Sequence, residues 1–157
     1  MPAISRMRSF LMLPFVLLVL CFGLVVNVAT APEADAITAR YTKILEGVRI
    51  AKNQIGDPYS YGSAGPDRFD CSGLIYYAMR RAGVSVPRSS GAQADYARRI
   101  PKSDMRVGDL MYFGGHIGIF LGWRDGRRLM LDAPSSGGRV NIRHPWTTDW
   151  SAYTMRY

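Results

Sequence analysis

The stretch Asp109-Leu-Met-Tyr-Phe-Gly-Gly-His-Ile-Gly-Ile-Phe-Leu121 decides the fold class. Two runs of β-favouring residues, 109–113 and 116–121, flank Gly114-Gly115, the composition of a tight connection between paired strands. Strand-like runs continue after it: Arg128-Leu-Met-Leu-Asp132 behind an Asp125-Gly126 turn, then Val140-Asn-Ile-Arg143 and Tyr153-Thr-Met-Arg-Tyr157. This predicts about five strands. Upstream the spacing is helical. Ile37, Tyr41, Ile44, Leu45, Val48, Ala51 and Ile55 form a stripe that Gly56 would end, and its continuity predicts packing on the core. Asp57 to Phe69 is loop-like, rich in Gly, Pro and Ser. Leu74, Ile75, Ala78, Met79 and Ala82 mark a second helix over 71–82, with Asp70 near its cap and Gly83 as its stop. Ser89 to Arg99 reads as a short third helix. Helices followed by a hairpin-linked antiparallel sheet define an α+β domain.

The chain has 157 residues, 48% hydrophobic and 20% charged, which excludes collagen-like and disordered classes. Its apolar residues are unevenly placed. The segment Phe10 to Val26 carries no charge and follows Arg6 and Arg8, the pattern of a secretory signal. Ala34-Asp35-Ala36 resembles a cleavage site, so residues 1–36 are expected to be a signal peptide or, if uncleaved, a membrane anchor. Bulky Leu20 argues against lipidation of Cys21. The remaining 157 − 36 = 121 residues, 37–157, suffice for one core. The net charge of +8 resides there, because Glu33 and Asp35 balance Arg6 and Arg8. Such a domain suits an anionic partner, nucleic acid or cell wall. Nucleic acid is disfavoured, since Arg80, Arg81, Arg98 and Arg99 read as solvated helix faces.

Residues 37–157 contain one cysteine, Cys71, so no internal disulfide is available to an exported domain. A thiol in the first turn of a helix is biased towards thiolate by the helix dipole. A nearby histidine would make it a hydrolytic nucleophile. Of the two histidines, His116 follows Gly114-Gly115 at a strand start, whereas His144 lies in a loop-like Arg-His-Pro-Trp context. His116 is the better base. Strand alternation puts His116, Gly118 and Phe120 on one face, and a hairpin with 128–132 can set Asp132 opposite His116 to orient its ring. Asp132 could equally cap the Ser135-Ser136-Gly137 turn. Gly118 would leave open space beside the base, or mark a bulge or close strand packing.

Five segments in order carry a family resemblance: Gly56-Asp-Pro-Tyr-Ser-Tyr-Gly62, Phe69-Asp-Cys-Ser-Gly-Leu74, Val86-Pro-Arg-Ser-Ser-Gly-Ala-Gln93, the 108–113 and 116–122 hairpin, and Met130-Leu-Asp-Ala-Pro134. Together they resemble the NlpC-type cell-wall endopeptidases, papain-like cysteine peptidases that act on peptidoglycan. The resemblance implies Cys71 as nucleophile, His116 as general base and acid, and Asp132 in the orienting position, where many relatives have His. It implies Tyr59 as an oxyanion donor beside the Cys71 backbone N–H, and Ser72, Arg88 and Ser89 along the substrate groove. Arg88 is a candidate grip for a stem-peptide carboxylate. Gly62-Ser63 replaces the family's frequent Gly-Gly. The implied substrate is a peptidoglycan stem peptide, cut between D-γ-glutamate and meso-diaminopimelate. The protein is expected to act outside the membrane, as a monomer and without cofactor; two histidines and one assigned thiol are too few for a metal site. A peptidoglycan-binding module without catalysis, and an amidase or acyl transferase on the same scaffold, stay open as alternatives.

Overall fold

The structure is a computed structural model and describes residues 31–157. The assignment of 1–36 as a signal or anchor therefore falls almost wholly outside the described residues. Among the described residues, no helix is long and apolar enough to cross a membrane.

Three helices, α1 (Ala31–Lys52), α2 (Cys71–Arg81) and α3 (Ser90–Tyr96), precede six strands. These are β1 (Arg98–Ile100), β2 (Leu110–Tyr112), β3 (Ile117–Arg124), β4 (Arg127–Asp132), β5 (Asn141–Arg143) and β6 (Ser151–Thr154), with a 3₁₀ turn at Lys102–Asp104. They form one antiparallel sheet in the order β1-β6-β2-β3-β4-β5. The expected α+β class is the observed one. The strand count differs: the third helix stops at Tyr96, and Arg98 and Arg99 sit in an edge strand on β6 rather than on a helix face. The last strand covers 151–154 instead of 153–157, because it must pair with β1 on one side and β2 on the other.

Alternation along β3 divides the sheet's contacts. Ile117 and Ile119, with Leu110 and Leu131, join Leu74, Ile75, Ala78 and Met79 of α2 in the main core. Ile44, Val48 and Ala51 of α1 enter the same core, whereas Ile37, Leu45 and Ile55 of its apolar stripe stay exposed. Phe120 and Met130 face the other way and form a rear cluster with Met111, Trp150 and Ala152. The β2–β3 connection turns through Gly114 and Gly115, both at positive φ, a conformation that favours glycine. It delivers His116 to the start of β3, beside the start of α2.

Candidate active site

Asp70 builds the nucleophile's end of the site. It is the N-cap of α2 in extended conformation, and its Oδ1 accepts from the Gly73 N–H at 2.6 Å. Its other oxygen accepts from the Gly62 N–H at 2.9 Å, tying the 57–69 loop to the helix start. Gly73 has to be glycine, because a Cβ there would collide with the Ser63 carbonyl oxygen. Arg88 forks onto Asp70 at 2.5 and 3.0 Å and also donates to the Ser72 hydroxyl and the Ser63 carbonyl. Burial pushes the Asp70 carboxyl up, but Arg88, the Gly73 N–H and the Ser72 hydroxyl hold it below its ordinary value. The guanidinium thus offsets a negative charge that would otherwise oppose a thiolate one residue away.

Cys71 is the first helical residue and is partly exposed. Burial and the Asp70 charge act to raise its pKa; the hydrogen bond to His116, the imidazolium charge and the Ile117 N–H outweigh them and leave the thiol below its ordinary value. His116 shows the reciprocal effect. Burial lowers its pKa, yet hydrogen bonds to Asp132 and Cys71 and their charges raise it from 6.5 to about 9. The contact therefore shifts the pair towards its thiolate–imidazolium form. His116 Nε2 lies 2.7 Å from Asp132 Oδ2, which leaves Nδ1 for the sulfur.

Asp132 is fully buried. The register Ile119↔Leu131, carried one step back, sets Gly118 rather than His116 opposite it, so His116 reaches the carboxylate diagonally. The expected open space at Gly118 is absent. A Cβ there would stand 2.5 Å from Met130 Cγ and 3.2 Å from Asp132 Cβ; the position is one of close strand packing, and the β3–β4 irregularity lies further on, between Phe120 and Gly122. Asp132 does not cap the following turn. Its remaining hydrogen-bonding capacity is taken by Arg143, a diagonal neighbour on β5, whose Nε and Nη2 donate at 3.0 and 2.6 Å. Sequence reasoning passed over Arg143; the one available signal was that it ends a strand-like run next in order after Asp132. Trp146 was also missed. Its ring stacks on Phe113 at 4.3 Å, lies under the Arg143 guanidinium at 4.7 Å, and meets the His116 ring edge-on at 5.2 Å. His144 sits apart, bonded through Nδ1 to the Arg128 carbonyl.

Tyr59, Ser72, Arg88 and Ser89 line the groove that opens at Cys71, a cavity of about 390 Å³. Tyr59 has its pKa raised, first by burial and then by the charge at Cys71, so its hydroxyl remains a donor. Ser72 is buried and donates to Asp70, and its carbonyl accepts from Gln93, which ties α3 to α2. Ser89 caps α3 by accepting from the Ala92 N–H. Ser72 and Arg88 thus spend their polar atoms first on Asp70.

A thiol at a helix start, an imidazole on the adjoining strand and a buried carboxylate behind it are the groups that thiol-dependent acyl chemistry requires. The NlpC/P60 family pattern matches residues 56–157, and the chain belongs to that family. It is 37% identical over 127 residues to the peptidoglycan endopeptidase RipA of Mycobacterium tuberculosis, covering 70% of this chain and 26% of RipA. The solved peptidoglycan hydrolase RipB of the same organism superposes with a TM-score of 0.65 at 31% identity, over 85% of this chain and 75% of RipB. RipD, from that organism too and described as a non-catalytic NlpC/p60 protein adapted to peptidoglycan binding, superposes at 0.61 with 26% identity, over 72% and 97%. This chain spans about a quarter of RipA's length.

Proposed function

We propose that this protein is an exported peptidoglycan endopeptidase that hydrolyses a stem-peptide amide, the bond between D-γ-glutamate and meso-diaminopimelate. The Cys71 thiolate attacks the carbonyl carbon, and the resulting oxyanion accepts hydrogen bonds from the Cys71 backbone N–H and the Tyr59 hydroxyl. The tetrahedral species collapses as His116 gives its proton to the departing amine, leaving a thioester on Cys71. His116, now neutral, takes a proton from water. The hydroxide so generated attacks the thioester, and the acid product leaves with the thiolate restored. Asp132 keeps the ring aimed and favours its protonated form. Arg88 and Ser72 support the nucleophile by holding Asp70, and with Ser89 they border the acyl half of the substrate.

The observation that carries this reading is a single imidazole placed between an ionisable sulfur and a fully buried carboxylate. The N-terminal segment supports action outside the cytoplasmic membrane. The test is digestion of defined muropeptides by the reduced full chain and by Cys71→Ala, with mass spectrometry of the products. Wild type is expected to release fragments ending in D-glutamate, and Cys71→Ala none. Binding to intact peptidoglycan without any new fragment would overturn the hydrolase reading in favour of a RipD-like binding module. A different scissile bond or a transferred acyl group would identify the amidase or transferase alternative.

A further inference from the structure

The proton that the amine receives sits on His116, so the amine half of a bound peptide has to leave past that ring, away from the Tyr59–Arg88 groove. The ring adjoins Trp146, which stacks on Phe113 and lies under the Arg143 guanidinium. Trp146 also lines a second cleft, of about 490 Å³, shared with Trp123, Arg127, Arg128 and Trp150. Trp123 and Trp146 are 58% and 54% exposed, unusual for the largest apolar side chains. The Arg128 guanidinium lies over Trp123 at 4.3 Å and Trp150 at 5.4 Å. Its hydrogen bonding is incomplete: Nη2 reaches the Lys102 carbonyl at 3.4 Å, while Nε is buried with no partner. Neither Arg127 nor Arg128 enters an ion pair among the described residues, and no carboxylate lines the cleft.

An unpaired guanidinium held against aromatic faces, with a second one beside it on the cleft wall, is a receptor for carboxylates attached to an apolar or amide body. We propose that this aromatic–cationic cleft is a leaving-group subsite that receives the amine half of a peptide bearing free carboxylates. The proposal rests on the endopeptidase reading for the direction in which the peptide runs. Trp146 reaches from the His116 ring to the cleft, and in this arrangement it stands between the reacting amide and the residues that recognise the leaving half of the peptide. The acyl groove and the cleft would then select the two ends of the substrate independently.

The test uses the reduced full chain and two substrates with the same acyl half. One has a diamino-acid leaving group with its carboxylates amidated; the other extends it by two D-residues with free carboxylates. Wild type is expected to favour the second by about 10-fold or more in kcat/KM, the scale of one charge-assisted hydrogen bond. Arg128→Gln and Trp123→Ala, each checked for an unchanged circular dichroism spectrum, are expected to bring that ratio close to one, mainly through KM for the extended substrate. A ratio that stays at the wild-type value in both variants overturns the proposal, as does a wild type without preference. A second arm measures binding of the isolated anionic amine peptide to Cys71→Ala by calorimetry. Binding that Arg128→Gln removes supports the cleft even if neither substrate is cut, the outcome that would sink the endopeptidase reading alone. Absence of binding overturns the cleft whatever the chain hydrolyses.

Discussion

Asp132→Asn isolates what the buried carboxylate does. The side chain accepts from three donors: His116 Nε2, and Nε and Nη2 of Arg143. An amide of the same shape offers one oxygen and one NH₂, so at least one donor must face a donor. That mismatch costs on the order of 1–3 kcal/mol of stability. The larger effect is electrostatic. His116 is raised from 6.5 to about 9, a difference on the order of 3 kcal/mol. Asp132, whose hydrogen bond is the largest of the raising effects, and Cys71 supply this together against the opposing effect of burial. The alkaline limb of kcat/KM, where the imidazolium loses its proton, is expected to move down from about 9 towards 6.5. With ring orientation also weakened, kcat is expected to fall by up to about 10⁴-fold, the loss seen when an orienting carboxylate is neutralised in a hydrolase triad. The assay is the pH dependence of stem-peptide cleavage, paired with the pH dependence of Cys71 alkylation by iodoacetamide, which needs no substrate. A folded variant with its alkaline limb still near 9 and kcat within about threefold of wild type would refute the role given to Asp132.

Wild type itself is expected to show a bell-shaped profile, losing activity above about 9 as His116 deprotonates and at low pH as the thiolate is protonated; a limb near 6.5 on the alkaline side would contradict the ion pair. Arg88→Ala removes the partner that holds the Asp70 carboxyl down. A depressed carboxyl contributes stability above its unfolded value and loses it as pH falls through the folded one, so acid unfolding of the variant is expected to begin at higher pH, as followed by circular dichroism. Arg88→Ala with unchanged cleavage efficiency would also end any role for this guanidinium in holding a substrate carboxylate. Gly118→Ala is expected to destabilise the domain by about 1–3 kcal/mol in urea denaturation and to lower kcat, because Met130 and Asp132 must move apart for the methyl group.

The sequence showed clearly those elements whose signal is local. The hairpin around Gly114-Gly115 and the α2 start at Asp70-Cys71 were legible from alternation, turn composition and a capping carboxylate. Cys71, His116 and Asp132 were singled out on that basis, and the fold brings the three together. β1 was not legible: Arg98-Arg99-Ile100 has no alternating apolar pattern and is a strand only because β6 offers it an open edge. The α1 stripe predicted a continuous packed face, yet Ile44, Val48 and Ala51 meet the core while Leu45 beside them, and Ile37 and Ile55 at the two ends of the stripe, stay exposed. Arg143 and Trp146 escaped for a related reason. Their importance comes from a diagonal contact across β4–β5 and from a loop folded back over β3, neither of which leaves a periodic trace.

The thioether of Met130 occupies the volume that a side chain at 118 would need, and the same methionine belongs to the rear cluster with Met111, Phe120 and Trp150. An engineer redesigning this domain therefore faces two unequal faces of one sheet. Exchanges on the helix side reach the site through the seats of Cys71 and Tyr59, which pack on the margin of that core. On the opposite side, each exchange shifts the scaffold beneath Asp132, so thermostabilising changes there should be selected by turnover as well as by melting temperature.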